Sequence, residues 1–131
     1  MIKFGYTILY VENVETAIAF YENAFGFSRK FVTPENDYGE LSTGETTLSF
    51  ASKKLAAQNL KEGFIESNLE AKPFAIEIGF ITDDVTETVQ KATTFGAVLV
   101  KEPTQKPWGQ IVAYVRDLDG FLIEICTEVE G

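Results

Sequence analysis

Trp108 to Thr127 reads WGQIVAYVRDLDGFLIEICT, and the organisation of this stretch decides the fold. Ile111, Ala113 and Val115 alternate with Val112, Tyr114 and Arg116, the period of two expected of a β-strand. Asp117-Leu118-Asp119-Gly120 supplies turn chemistry, with Gly120 free to take positive φ. Phe121 to Thr127 is apolar again apart from Glu124, which stands between Ile123 and Ile125. A carboxylate in a strand that otherwise reads as largely buried is costly without a partner. Glu124 is therefore the first candidate for a functional side chain.

Upstream of this hairpin, Phe74 to Ile81 reads as a strand. Asp83-Asp84 breaks it and offers an acidic helix N-cap. Val85, Thr88, Val89, Ala92 and Phe95 then form one face of a helix that Gly96 ends. Ala97 to Val100 reads as another strand. Lys101 to Pro107, with two prolines, reads as a loop leading into Trp108.

The first half follows the same plan. Gly5 to Val11 reads as a strand, broken at Glu12-Asn13, with Asn13 as N-cap. A helix is predicted from Val14 to Phe25, with Ala17, Ile18, Tyr21, Ala24 and Phe25 on one face and Gly26 at its end. Phe27 to Thr33, Tyr38 to Thr43 and Thr46 to Ser52 read as three strands of an antiparallel meander. Val11-Glu12-Asn13-Val14 corresponds to Thr82-Asp83-Asp84-Val85, Phe25-Gly26 to Phe95-Gly96, and Thr46–Ser52 to Phe121–Thr127. Each half is thus β-α-β-β-β, and the chain reads as a duplicated α+β fold. The expected organisation is one domain, with module 1 at 1–52, a linker at 53–73 and module 2 at 74–131. The linker is polar, with a short helix expected at Leu55 to Leu60. Phe64, Ile65 and Leu69 within it serve either plain connection or a pocket lid.

A chain of 131 residues is long enough to bury a core as one domain. Its 45% hydrophobic and 24% charged content is that of an ordinary soluble globular protein. No apolar run approaches the ~20 residues that cross a bilayer. The opening MIKFGYTILYV lacks the order of a signal peptide, so a cytoplasmic protein is expected. The net charge of −9 argues against nucleic acid and anionic membranes as partners. It suits a cationic ligand, and solubility accounts for it equally well. The chain has no histidine, which removes Ser-His-Asp and Cys-His nucleophile systems and the usual zinc ligands. General acid–base chemistry is left to Asp, Glu, Tyr or Lys. Cys126 is the one cysteine, and in an apolar strand without a histidine it reads as a small buried hydrophobe.

The strand followed by LYVENVETAIAFYENAFGF, with a second half closing on RDLDGFLIEI, resembles the vicinal oxygen chelate superfamily. That group includes glyoxalase I, extradiol dioxygenases, and fosfomycin and bleomycin resistance proteins. The AFYENAFGF helix end and the D-x-D-G-F-x-I-E-I hairpin carry the likeness, which spans nearly the whole chain. The family usually has Pro where this chain has Leu118. The resemblance implies two β-α-β-β-β modules forming a curled mixed sheet around a cavity. It implies a homodimer and, in metal-dependent members, a divalent ion held from the first and last strand of each module. Carried over, those positions are Tyr6, Ser49, Glu77 and Glu124. The repeat supports the same set, since Tyr6 stands eight residues before Val14 and Glu77 eight before Val85.

Only Glu77 and Glu124 of that set are carboxylates. They suit at most weak binding of Mg²⁺ or Mn²⁺, and without imidazole they do not suit zinc or nickel. No cofactor is expected. The other account of the two carboxylates is hydrogen bonding from Tyr6, Ser49 and nearby hydroxyls, with a raised pKa on one of them. Trp108 is placed at the cavity mouth, either as a core plug or as a stacking surface for a flat or cationic ligand. Tyr38, Phe50, Tyr114 and Phe31 add aromatic surface, shared between core and cavity. Arg116 reads as a surface partner for Asp117 or Asp119. The expected ligand-binding set is Tyr6, Ser49, Glu77, Trp108, Glu124, Tyr38, Phe50 and Tyr114, with Glu124 the best catalytic candidate. Three functions follow. The first is metal-free binding of a small cationic or aromatic ligand, as in the bleomycin resistance proteins. The second is a divalent-metal-dependent lyase resembling glyoxalase I that uses Glu77 and Glu124. The third is a purely structural protein.

Overall fold

A computed structural model describes residues 1–129. The chain divides into two compact units, Met1–Glu66 and the part from Ser67 on. Unit 1 holds β1 (Thr7–Val11), α1 (Val14–Phe25), β2 (Ser28–Val32), β3 (Tyr38–Ser42), β4 (Thr47–Ser52) and α2 (Lys53–Asn59). Unit 2 holds β5 (Ile78–Ile81), α3 (Val85–Thr94), β6 (Val98–Gln105), β7 (Ile111–Arg116) and β8 (Leu122–Cys126). Each unit has its own four-stranded mixed sheet, in order β1-β4-β3-β2 and β5-β8-β7-β6. The first strand pairs in parallel with the last, and the other pairings are antiparallel. The duplicated β-α-β-β-β order and the α+β class are as the sequence predicts.

Local chemistry sets the helix ends. Asn13 Oδ1 accepts from Thr16 N at 3.0 Å, and Gly26 closes α1 at φ 73° with its N–H on Glu22 O. Asp84 Oδ1 caps α3 by accepting from Glu87 N at 3.0 Å. α1 and α3 each cover one face of their own sheet. In unit 1, Val14, Ile18 and Tyr21 of α1 are fully buried, as are Val11, Leu41 and Phe50 from the strands. Gly39 lies directly under α1, where a Cβ would meet Ile18 and Val14. In unit 2, α3 contributes Val85, Val89 and Ala92 to the core, and the strands contribute Ala113, Val115, Ile123 and Ile125. Because side chains alternate along a strand, every residue between these core positions faces the other side of the sheet. That helix-free face is where the polar candidates lie.

Two expectations are corrected, and the short helix expected in the linker is present. The loop predicted over Lys101 to Pro107 is mostly strand, since β6 runs to Gln105 and contains Pro103. β6 is an edge strand, and its register with β7 shifts between Leu99 and Lys101 and again between Lys101 and Thr104. A proline without N–H is tolerated at such an irregular edge. β1 and β5 begin later than predicted, so Tyr6 and Glu77 each stand one residue before the first strand of their unit. The polar segment after Ser52 begins with α2, capped by Ser52 Oγ accepting from Leu55 N at 3.0 Å. Lys53 there pairs with Glu12 at 3.3 Å and Glu66 at 3.2 Å, and Phe64 packs edge-on to Tyr10. Among the described residues no helix is long and apolar enough to cross a membrane.

Candidate functional site

In unit 2, the register places Gly79 of β5, Glu124 of β8 and Tyr114 of β7 side by side on the helix-free face. Gly79 has no side chain to crowd its neighbour, and a Cβ there would sit 3.6 Å from Glu124 Oε2. The Glu124 carboxylate therefore lies across β5. Tyr114 donates its hydroxyl to Glu124 Oε1 at 3.3 Å, a long and weak bond. Glu77, two residues before Gly79, has its pKa raised, first by partial burial and then by the charge of Glu124. The Tyr114 phenol and the Cys126 thiol are both pushed up, by burial first and next by Glu124. Among the described residues the ion pairs are Arg29 with Glu15 and Glu22, and Lys53 with Glu12 and Glu66. Among the described residues, Glu77 and Glu124 have no basic partner.

The raised pKa of Glu77 has a measurable signature. The folded pKa of Glu77 lies above its unfolded value, so its unfavourable contribution is present once both states are ionised. It is relieved as pH falls through the folded pKa and is gone below the unfolded value of about 4.3. Glu77→Gln is therefore expected to be more stable than wild type at pH 7.5, with the gap closing toward pH 4. Urea unfolding of both proteins at the two pH values tests this. A gap that stays constant, or that favours wild type at pH 7.5, contradicts the raised pKa of Glu77.

At one end of the same sheet lies a cleft of about 420 Å³, lined by Ile81, Asp83, Trp108, Gln110 and Thr127 among others. Trp108 sits in a tight turn closed by Gly109 N donating to Lys106 O at 2.9 Å, with Gly109 at φ 96°. Its indole is 62% exposed, which removes the core-plug reading. The ring is oriented by Nε1 donating to Gln110 Oε1 at 2.9 Å, and Gln110 in turn donates to Thr127 O at 3.0 Å. Gln110 also acts on Cys126, lowering its thiol pKa against the larger effect of burial. Cys126 lies on the same face as Glu124, two residues along β8. The cleft thus adjoins the end of the acidic face.

In unit 1, Ser49 of β4 stands between Ile8 of β1 and Glu40 of β3, and Phe31 of β2 lies opposite Glu40. Tyr38 donates its hydroxyl to Glu40 Oε2 at 2.7 Å. Its pKa is pushed up to about 12, by burial first and then by that bond. Ser49 is completely buried, and its Oγ meets no partner with hydrogen-bond geometry. It lies near enough to Tyr38 to stabilise the phenolate slightly, but a properly formed bond is absent. Tyr6 is 53% exposed and lies close to Tyr38. Phe50 is corrected: it points away from Ser49, is completely buried, and packs its ring 5.2 Å from Tyr21 of α1. Glu40 is the residue that sequence reasoning missed. Its signal was its place in YGELS, where Tyr38 and Glu40 alternate with buried Gly39 and Leu41.

Arg116 is also corrected. It is only 8% exposed, and its guanidinium donates to three carbonyls: Gly120 at 2.9 Å, Ala71 at 2.8 Å and Asn68 at 3.0 Å. It ties the segment entering unit 2 to the β7–β8 turn.

A resident divalent ion needs several protein donors of suitable type. Among the described residues no group of three or more His, Cys, Asp or Glu is placed to hold a metal. Unit 2 offers two carboxylates and a phenol on its open face; unit 1 offers one carboxylate, phenols and a serine.

A family model described as the glyoxalase/bleomycin resistance protein/dioxygenase superfamily matches residues 3–125. A virulence protein of Salmonella typhimurium, STM3117, is 28% identical over 131 residues, covering 97% of this chain and 85% of its own. Among solved structures, the hypothetical protein SA1046 from S. aureus superposes with a TM-score of 0.81 at 25% identity, covering 98% of this chain and 95% of its own. A glyoxalase-related enzyme from Fulvimarina pelagi superposes with a TM-score of 0.82, covering 98% and 89%. Its identity of 17% makes that a likeness of fold alone.

Proposed function

This chain belongs to the glyoxalase/bleomycin resistance protein/dioxygenase superfamily, and we propose that within it the protein acts as a metal-free binder of a small cationic, aromatic ligand. The observation that carries this reading is the pair Glu77 and Glu124, one just before β5 and one on β8, with no basic partner among the described residues and with Glu77 held above its ordinary pKa. A ligand cation relieves their repulsion and gains two charge-assisted contacts. Trp108, exposed and oriented through Gln110, supplies a stacking surface in the cleft at the end of the same sheet. The net charge of −9 favours the approach of a cation at long range. The competing reading, a divalent-metal-dependent lyase, relies on the same two carboxylates.

Trp108 is the only tryptophan, so its fluorescence reports directly on the cleft. A panel of planar aromatic cations is expected to include compounds that quench it in a saturable way. Glu124→Gln should weaken that binding about tenfold. Calorimetry with Mn²⁺, Ni²⁺ and Zn²⁺ separates the readings. Tight stoichiometric metal binding that is lost in Glu124→Gln would establish the lyase-type site and overturn the metal-free one.

A further inference from the structure

We propose that the open face of unit 1 is a second recognition site, one that takes the primary ammonium group of a ligand through Glu40 and Tyr38, with Ser49 as a positioning residue behind them. The inference rests on the reading of this protein as a binder of cationic small molecules, and adds the head-group chemistry and the residues that select it.

The argument begins with what each polar group has left to offer. Tyr38 gives its only hydroxyl proton to Glu40 Oε2 at 2.7 Å. Its oxygen is then available only as an acceptor. Among the described residues, Glu40 Oε1 has no protein donor and Glu40 forms no ion pair. Lys30, beside Phe31 in β2, is engaged with Thr47 Oγ1 at 2.7 Å. The exposed side of the pair is therefore rich in acceptors and poor in donors. A primary ammonium carries three N–H donors and no acceptor, which matches it. Tertiary and quaternary ammonium groups do not match in this way.

The surroundings suit the rest of such a ligand. Phe31 lies directly across from Glu40, and its ring centre is 5.9 Å from that of Tyr38. Tyr6 is exposed close by. Aromatic faces around a carboxylate attract a cation and shelter an apolar body attached to it. Ser49 explains why the arrangement is unfinished in the free protein. Its buried Oγ lacks a partner, an unfavourable state that native structures seldom leave without cause. A small movement of Tyr38 lets Ser49 donate to the Tyr38 oxygen. The row Ser49 to Tyr38 to Glu40 is then complete, and it ends at the carboxylate that meets the ligand.

The probe is phenethylammonium, with its N,N,N-trimethyl analogue as control. Titration of ¹⁵N-labelled protein is expected to shift the amides of Tyr38 to Glu40 and of Ser49, with the trimethyl compound binding about tenfold more weakly. Glu40→Gln should weaken phenethylammonium about tenfold, and Tyr38→Phe about threefold, while the spectrum of each variant verifies its fold. Equal affinity for the two compounds overturns the proposal, as does unchanged affinity in folded Glu40→Gln. If planar cations quench Trp108 but phenethylammonium shifts nothing in unit 1, this inference fails and the broader reading stands. If neither class of cation binds, both fail.

Discussion

Gly120→Ala is expected to lower the free energy of unfolding by about 3 kcal/mol, from backbone strain and a clash with main chain. Gly120 sits in the β7–β8 turn at φ 91°, which L side chains rarely adopt. A Cβ would fall 2.7 Å from the carbonyl carbon of Asn68, 2.8 Å from its oxygen and 2.9 Å from Arg116 Nη2. Two of those atoms are backbone, so no rotamer change relieves the contact. The turn itself is firmly held. Asp117 Oδ1 accepts from Asp119 N at 3.0 Å and Phe121 N at 2.9 Å, and Asp117 N donates to Phe121 O at 3.0 Å. Gly63→Ala is the matched control, because Gly63 has φ 86° and nothing within 4 Å of its would-be Cβ. It should cost only about 1 kcal/mol. Urea denaturation of both variants isolates the steric part as their difference. Equal losses would mean that the segment around Asn68 yields freely, and that the turn does not anchor it. The consequence reaches the site, because this turn sets the register that puts Tyr114 opposite Glu124.

The features that sequence made legible are those with a local physical cause. Asn13 and Asp84 announce helix starts because their side chains bond the next turn. Gly26 announces an end because it takes positive φ. Alternation in IVAYVR and the D-x-D-G turn announce the hairpin, and the duplication extends both readings to the other half. The failures concern contacts that depend on distant chain or on strand phase. TLSFAS is apolar or small at every position, so composition leaves open which face meets the helix. Period two nonetheless forbids Ser49 and Phe50 from sharing one, and the core takes Phe50. Pro103 argued for a loop because a central strand rejects proline, and nothing local shows that β6 is an edge. Glu40 was passed over because a Glu in a half-exposed strand is ordinary, and only the fold brings it beside Ser49. For Tyr6 and Glu77, position in the repeat was legible, while their partners were not. Glu77 is coupled to Glu124 by charge and burial, quantities that depend on a parallel pairing between strands far apart in sequence.

Arg116→Met should cost about 3 kcal/mol. The carbonyls it serves belong to residues 4, 45 and 48 positions away in sequence. Methionine replaces much of the aliphatic stem, so the loss is one of hydrogen bonding more than of volume. A charged donor bond contributes about 1.5–3 kcal/mol, and a carbonyl left without a donor costs about 1–3 kcal/mol where water cannot reach it. Three such bonds set an upper limit well above the expected value. The carbonyls of Asn68 and Ala71 belong to exposed residues, and water replaces the lost donor there at least in part, which brings the sum down. Arg116→Lys should recover less than half of the loss. Its ammonium is a compact charge on a single atom, whereas the guanidinium reaches Gly120 through Nε and the other two carbonyls through separate terminal nitrogens. The decisive measurement is the double variant. Gly120→Ala pushes Asn68 away from the turn, and Arg116→Met removes the bond that holds it there, so both act on one contact. Their effects should fall short of additivity by about 1 kcal/mol or more. Full additivity in urea unfolding would show that the two residues stabilise the fold independently, and that Arg116 does not clamp the segment onto the turn.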